Sequence, residues 1–346
     1  MILSPRELPD VRTRMAEYNL SRFGPVMIEH HATSAAPDLA ADDAQLYATT
    51  AAKLDAVSFA DAALYYINTD MVDLLMQAKD GISETGFMEY DLPTPVGMAY
   101  LDKDLPTWQV VTKSEVSPEV WDGYYRRFPH YIDESGENFC APERMLLLWR
   151  YMPPQEEYPH GWVRVAWYED RDYVTTKMGF SWNPDEDGPL DSDKLRRRLG
   201  PFVFDGHQVI ACHPDASELV VQRFDTGEEW RDRRGDMFRA LCFLLRQRVA
   251  ESETVMPDRA ARRRAQREGK EPPPVRVISI RGVGHGGSGG DGQREYHHRW
   301  MVRGHWRLQP CGPNRSLRRP TWVVPHIKGP DDAPLLGGEK VYSVRP

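Results

Sequence analysis

The stretch Tyr296-His297-His298-Arg299-Trp300-Met301-Val302-Arg303-Gly304-His305-Trp306-Arg307 holds the side chains of this chain best suited to phosphate chemistry. Read as an extended strand, it splits by residue parity, because successive side chains point to opposite sides. His297, Arg299, Met301, Arg303, His305 and Arg307 fall on one face; Tyr296, His298, Trp300, Val302, Gly304, Trp306 and Leu308 fall on the other. The second face packs and the first offers cations. Arginine forks bind phosphate bidentately. A pair of histidines titrating near neutrality can act as base and acid when a ribose 2′-hydroxyl attacks its own phosphate, with no metal. His297 and His305 would lie about 26 Å apart in a regular strand, too far to share a phosphate. A catalytic pair would have to bring in His326 beside His305 from the partner strand that begins at Thr321, or else bend the strand at Gly304. Binding without cleavage asks less: Arg299, Arg303, Arg307, Arg318, Arg319 and Lys328 could follow a nucleic-acid backbone. Trp300, Trp306 and Trp322 could stack bases if exposed, although the even parity of the first two points them at a core.

Other motifs carry less. Gly282-Val283-Gly284-His285-Gly286-Gly287 satisfies G-x-G-x-x-G after a predicted strand, but more Gly, Ser and Asp follow where a dinucleotide site needs a helix. It reads as a loop. His297, His305, Cys311 and His326 could ligate a metal, yet their spacing matches no familiar zinc module and the arginines around them oppose a dication. No metal and no cofactor is expected. Asp185-Glu186-Asp187 and Asp191-Ser192-Asp193 read as solvated loops.

These residues sit in a chain of uneven charge. Between Arg259 and Lys328 there are 16 Lys/Arg against 4 Asp/Glu, a net of +12; the remaining 28 basic and 48 acidic residues net −20. Such a division suits a polyanion partner for the basic part, or docking of that part on the acidic body. The densest apolar run, Met145 to Trp149, is far short of the roughly 20 residues a membrane helix needs, and the N-terminus lacks the apolar stretch of a secretory signal. Cys140, Cys212, Cys242 and Cys311 form no close pair, so reduced thiols and a cytoplasmic location are expected.

The positioning elements follow from periodicity. Leu46, Thr50, Lys53, Leu54 and Val57 have helical spacing. Leu64 to Ile67 reads as a strand, and Asn68 caps a helix through Leu74, Leu75 and Ala78. Met145 to Tyr151 is a buried element of either type, and Trp162 to Tyr168 could form a hairpin with Tyr173 to Trp182. Met237, Leu241, Leu244 and Leu245 give the clearest helical stripe, with Asp236 as its cap. Arg259 to Arg267 is a basic run of good helix formers, Pro272-Pro273-Pro274 is a stiff spacer, and Val275 to Arg281 alternates as a strand.

Arg303-Gly304-His305-Trp306-Arg307, the arginine-rich turn, and Trp322-Val323-Val324-Pro325-His326-Ile327-Lys328-Gly329 resemble the C-terminal signature of a protein family of phages, plasmids and actinobacterial genomes. Arg259 to Arg281 and, more weakly, Tyr65 to Met71 with Asp91 to Gly97 share that resemblance. The family is distantly similar to the type V-A anti-CRISPR protein that acts on its effector nuclease's message during translation. The resemblance implies a mobile-element regulator working near RNA and recognising a protein or nascent peptide. It transfers no catalytic residue.

Together these readings predict an α+β protein. An acidic mixed body of antiparallel strands and helices spans 1–250, a basic, proline-rich linker or helix spans 251–274, and a basic β-hairpin region spans 275–346. The first functional expectation is binding of RNA or a message-associated complex through the basic face, with the body recognising a protein. The second is a metal-independent endoribonuclease using His305 and His326; the third is a purely protein-binding module with a structural C-terminal region. Oligomeric state is left open.

Overall fold

In the computed structural model the described residues are 2–36, 38–79, 82, 86–103, 105, 111–115, 118, 121–122, 135–139, 144–171, 198–215, 221–223, 233–247, 249–267, 269, 271, 273–280, 299–302, 304–311, 313–323, 326–328 and 335–336. The architecture is α+β. Its helices are α1 (Leu8–Leu20), α2 (Gly24–Ala35), α3 (Ala41–Asp61), α4 (Thr69–Ala78), α5 (Arg233–Leu245) and α6 (Arg259–Arg267). Its strands are β1 (Ala63–Ile67), β2 (Val96–Leu101), β3 (Val111–Thr112), β4 (Asn138–Phe139), β5 (Met145–Met152), β6 (Trp162–Asp170), β7 (Phe202–Ala211), β8 (Val221–Arg223), β9 (Ala250–Val255) and β10 (Val275–Ile280). The C-terminal strands are β11 (Arg299–Val302), β12 (His305–Cys311), β13 (Leu317–Val323), β14 (His326–Lys328) and β15 (Leu335–Leu336).

An eight-stranded mixed sheet runs β8-β7-β6-β5-β2-β1-β10-β9. β1 is parallel to both β2 and β10, and every other pairing in it is antiparallel. Both faces are covered, which is why Met145 to Trp149 shows no alternation: all five are buried, from one side or the other. Leu64, Tyr66, Met98, Tyr100, Leu148, Tyr168 and Phe202 pack against α1, α2 and α3. Tyr65, Ile67, Leu101, Leu147, Trp149, Val165 and Trp167 pack against α4 and α5. Gly97 lies directly across from Trp149, and a Cβ there would stand 2.1 Å from the indole; β2 and β5 can pair over this ring only because position 97 has no side chain.

The Asn68 cap is formed, its Oδ1 accepting from Met71 N at 3.0 Å. The helix expected around Leu46 to Val57 is α3; it turns Leu46 and Val57 to solvent, 67% and 53% exposed, and buries Ala44, Ala48, Ala52, Ala56 and Phe59, since alanines let the helix lie close on the sheet. Two expectations change. α5 starts at Arg233, so Asp236 sits inside the first turn and holds Arg239 at 3.0 Å rather than capping. β6 pairs with β5 and β7; the stretch 173–182, its expected hairpin partner, lies outside the described residues. β9 and β10, from the stretches on either side of the basic, proline-rich segment, both belong to this sheet. Among the described residues no helix is long and apolar enough to cross a membrane.

Beneath α3 the sheet carries a polar cluster. Arg164 and Tyr168 of β6 both bond Asp55 of α3, Tyr168 donating to Oδ2 at 2.7 Å. Beside them the Tyr47 hydroxyl and His207 Nε2 share a hydrogen bond at 2.9 Å. Burial first, then the Arg164 cation and His31, push the His207 pKa down to about 2 from 6.5. A histidine depressed in the folded state charges first in the unfolded chain, so stability falls as pH drops below 6.5. Between pH 7 and pH 5 this group removes about 2 kcal/mol. His207→Gln keeps a polar group for Tyr47 and cannot titrate. Its urea-unfolding free energy is expected to lose about 2 kcal/mol less over that interval than the parent's; equal losses would show that His207 is not the titrating group.

Candidate nucleic-acid interface

β12 and β13 form an antiparallel hairpin that pairs His305 with Val323, Trp306 with Trp322, Arg307 with Thr321, Leu308 with Pro320 and Gln309 with Arg319. The even face packs at Trp306 and Trp322, as parity requires, but Leu308, expected on the same packing face, is 51% exposed. Trp322 is buried, and its ring meets Trp306 edge to face at 5.3 Å. Trp306 in turn contacts Phe243 of α5 at 6.0 Å, and its Nε1 donates to the carbonyl of Ala78 at 2.6 Å. That carbonyl belongs to the last turn of α4, where helix carbonyls run out of intrahelical donors, so the indole caps the helix end. Gln247, just past α5, completes the clamp: its Oε1 accepts from Trp322 N at 2.8 Å and its Nε2 donates to Pro320 O at 3.4 Å. One side chain amide thus bonds the edge of β13 as a neighbouring strand would.

The other face meets solvent. His305, Arg307, Gln309 and Arg319 are all exposed, with Arg315 and Arg318 exposed toward the turn. Arg307 Nη2 donates to Gln309 Oε1 at 2.9 Å, and Arg318 Nη1 donates to Arg315 O at 2.9 Å. The turn holds Asn314 and Arg315 at φ +53° and +55°. Asparagine takes the left-handed conformation readily; arginine does so at a cost of about 1 kcal/mol. A strained cation therefore stands at the tip.

The opening stretch is not one strand. β11 pairs with β14 and β15, setting Arg299 opposite Leu335, Trp300 opposite Lys328 and Val302 opposite His326. Two residues intervene on each side, Arg303-Gly304 and Val324-Pro325, so the ladder resumes in unchanged register. The register does not pair the two candidate histidines. His326 stands opposite Val302, three positions or about 10 Å along the strand from His305 and of opposite parity. Arg303 and His297 lie outside the described residues. Among the described residues no group of three or more His, Cys, Asp or Glu could hold a metal ion.

The basic segment does not gather on one surface. α6 lies toward α1, Arg264 pairing with Asp10 at 2.6 Å, and Arg276 of β10 donates to the Tyr65 hydroxyl. Part of it therefore docks on the acidic body, while the hairpin arginines face outward. Arg246, next to Gln247, adds a cation from outside the segment and contacts Asp91 at 3.5 Å; Tyr90, beside Asp91, is 67% exposed. Neither was legible as part of the site, since only the packing of α5 and the 89–91 turn brings them to the hairpin. No protein-family model matches the chain significantly, and no curated protein or solved structure does.

Proposed function

We propose that the chain is an RNA-binding regulatory protein of mobile-element type, whose hairpin face contacts RNA or a message-associated complex and whose acidic body recognises a protein. One observation carries this reading. The hairpin is fastened by one face, through Trp306, Trp322 and Gln247, and turns His305, Arg307, Gln309 and Arg319 to solvent on the other. A cationic surface on a rigid backing suits a phosphate chain, because little backbone order is left to impose on binding.

The test is fluorescence anisotropy of a labelled single-stranded RNA over a range of salt. Each phosphate contact on a single strand contributes about −0.7 to the slope of log K against log salt. The double reversal Arg307→Glu with Arg319→Glu is expected to weaken binding by more than tenfold at low salt and to flatten the slope by about 1.4. Salt-independent binding, or none at low salt, would remove the proposal. The register of His305 and His326 gives the ribonuclease reading no support; RNA recovered intact in EDTA separates binding from cleavage in the same samples.

A further inference from the structure

Tyr90 is the aromatic among the large apolar side chains that the described residues leave exposed, with 67% of its surface in water. Tyr65, Tyr66, Tyr100 and Tyr168 are all buried. The turn that presents Tyr90 is fixed. Met88 N donates to Asp91 Oδ2 at 2.9 Å, Asp91 N donates to Met88 O at 2.9 Å, and Leu92 N donates to Glu89 O at 3.0 Å. On either side of it Met88 and Leu92 pack into the core. The ring is thus held outward by residues anchored inward.

Its surroundings match the hairpin face. Arg246 and Cys311 lie within electrostatic range of its hydroxyl, and Arg319 lies within range of the neighbouring Asp91 carboxylate. Asp91 bonds Met88 N and Arg246, while Glu89 bonds Tyr151. At the ring itself Asp91 and Glu89 balance Arg246 and Arg319, so the excess of positive charge comes from the exposed Arg307, Arg315 and Arg318 of the hairpin; together with an open aromatic face these are the features that bind single strands: cations for the backbone, a ring for a base.

We propose that Tyr90 is a base-stacking platform that makes the interface selective for single-stranded RNA. A base lies on the ring while neighbouring phosphates meet Arg246, Arg319 and the hairpin arginines. A paired base in a duplex has no free face to offer, so duplex RNA gains only the electrostatic part. This inference rests on the RNA-binding reading above and names the ligand class of the same site.

The test uses the full chain with a labelled oligo-uridylate, its deoxy counterpart, an RNA duplex of equal length, and inorganic polyphosphate as competitor. Tyr90→Ala is expected to weaken the single strand about tenfold while leaving its salt slope as before, since no charge is removed. Duplex and polyphosphate affinities should fall much less. Tyr90→Phe, which keeps the ring, should restore single-strand affinity; Arg319→Glu should weaken all the polyanions together. Equal single-strand affinity for the parent and Tyr90→Ala overturns the platform while leaving RNA binding intact. Failure of the parent chain to bind any of the polyanions overturns both. Equal loss on duplex and single strand would also refute stacking. The deoxy arm distinguishes RNA from single strands in general.

Discussion

Asp55→Ala will destabilise the protein by about 3–5 kcal/mol, the cost of leaving a buried partner charge unanswered. Asp55 and Arg164 are 1% and 7% exposed at their side chains and pair with each other across α3 and β6. Arg164 Nη2 already lacks a hydrogen-bond partner among the described residues, and Tyr168 spends its hydroxyl on Asp55. Removing the carboxylate strands both. The pair itself is not the source of the stability, because desolvating two ions offsets most of their attraction. Replacing Asp55 with Leu, Arg164 with Met and Tyr168 with Phe together should therefore recover most of the loss. Urea unfolding of the single and triple variants measures this. A single-variant loss below about 1 kcal/mol would mean that water or a backbone shift satisfies Arg164.

That cluster also marks where sequence reasoning stops. Asp55 lies within a helix that the spacing of Leu46, Leu54 and Val57 located without showing which face is buried, and its partner is 109 residues away. Nothing local says that a helix will present its alanines and one aspartate to a sheet. Periodicity works where a single face is buried. It placed Trp306 inward and Arg307 outward, though not Leu308, which is exposed, and it found the strand β10, the α4 cap and the basic helix α6. It could not choose a type for β5, which is buried on both faces, nor show that β10 would enter the sheet beside β1, some 210 residues upstream. Gly304 was legible as a place to bend, but the assignment of β11 and β12 to separate sheets depends on partners that sequence does not name. Tyr90 had no signal at all, because its role depends on which neighbours the 89–91 turn acquires.

Trp322→Ala should release the hairpin without unfolding the sheet. Truncating a buried tryptophan costs about 3–5 kcal/mol, and the specific partners of Trp322 are Trp306 and Gln247, just past α5. The loss therefore falls on docking. Hydrogen exchange should accelerate at the amides of β12 and β13 and at the end of α4, where the carbonyl of Ala78 loses its indole donor, while β1, β2 and β5 stay protected. RNA affinity then discriminates between a surface that is merely cationic and one that is assembled. A freed hairpin keeps every arginine, so a purely electrostatic site would lose little affinity. An assembled site would lose the alignment of Arg319 with Tyr90, and Trp322→Ala would weaken single-strand binding about as much as Tyr90→Ala. The two substitutions combined should then cost little more than either alone, since the second removes a contact the first has already broken. Additive losses would place Tyr90 and the hairpin in separate sites. Unchanged exchange at β12 and β13 would show that Trp322 does not hold the hairpin down.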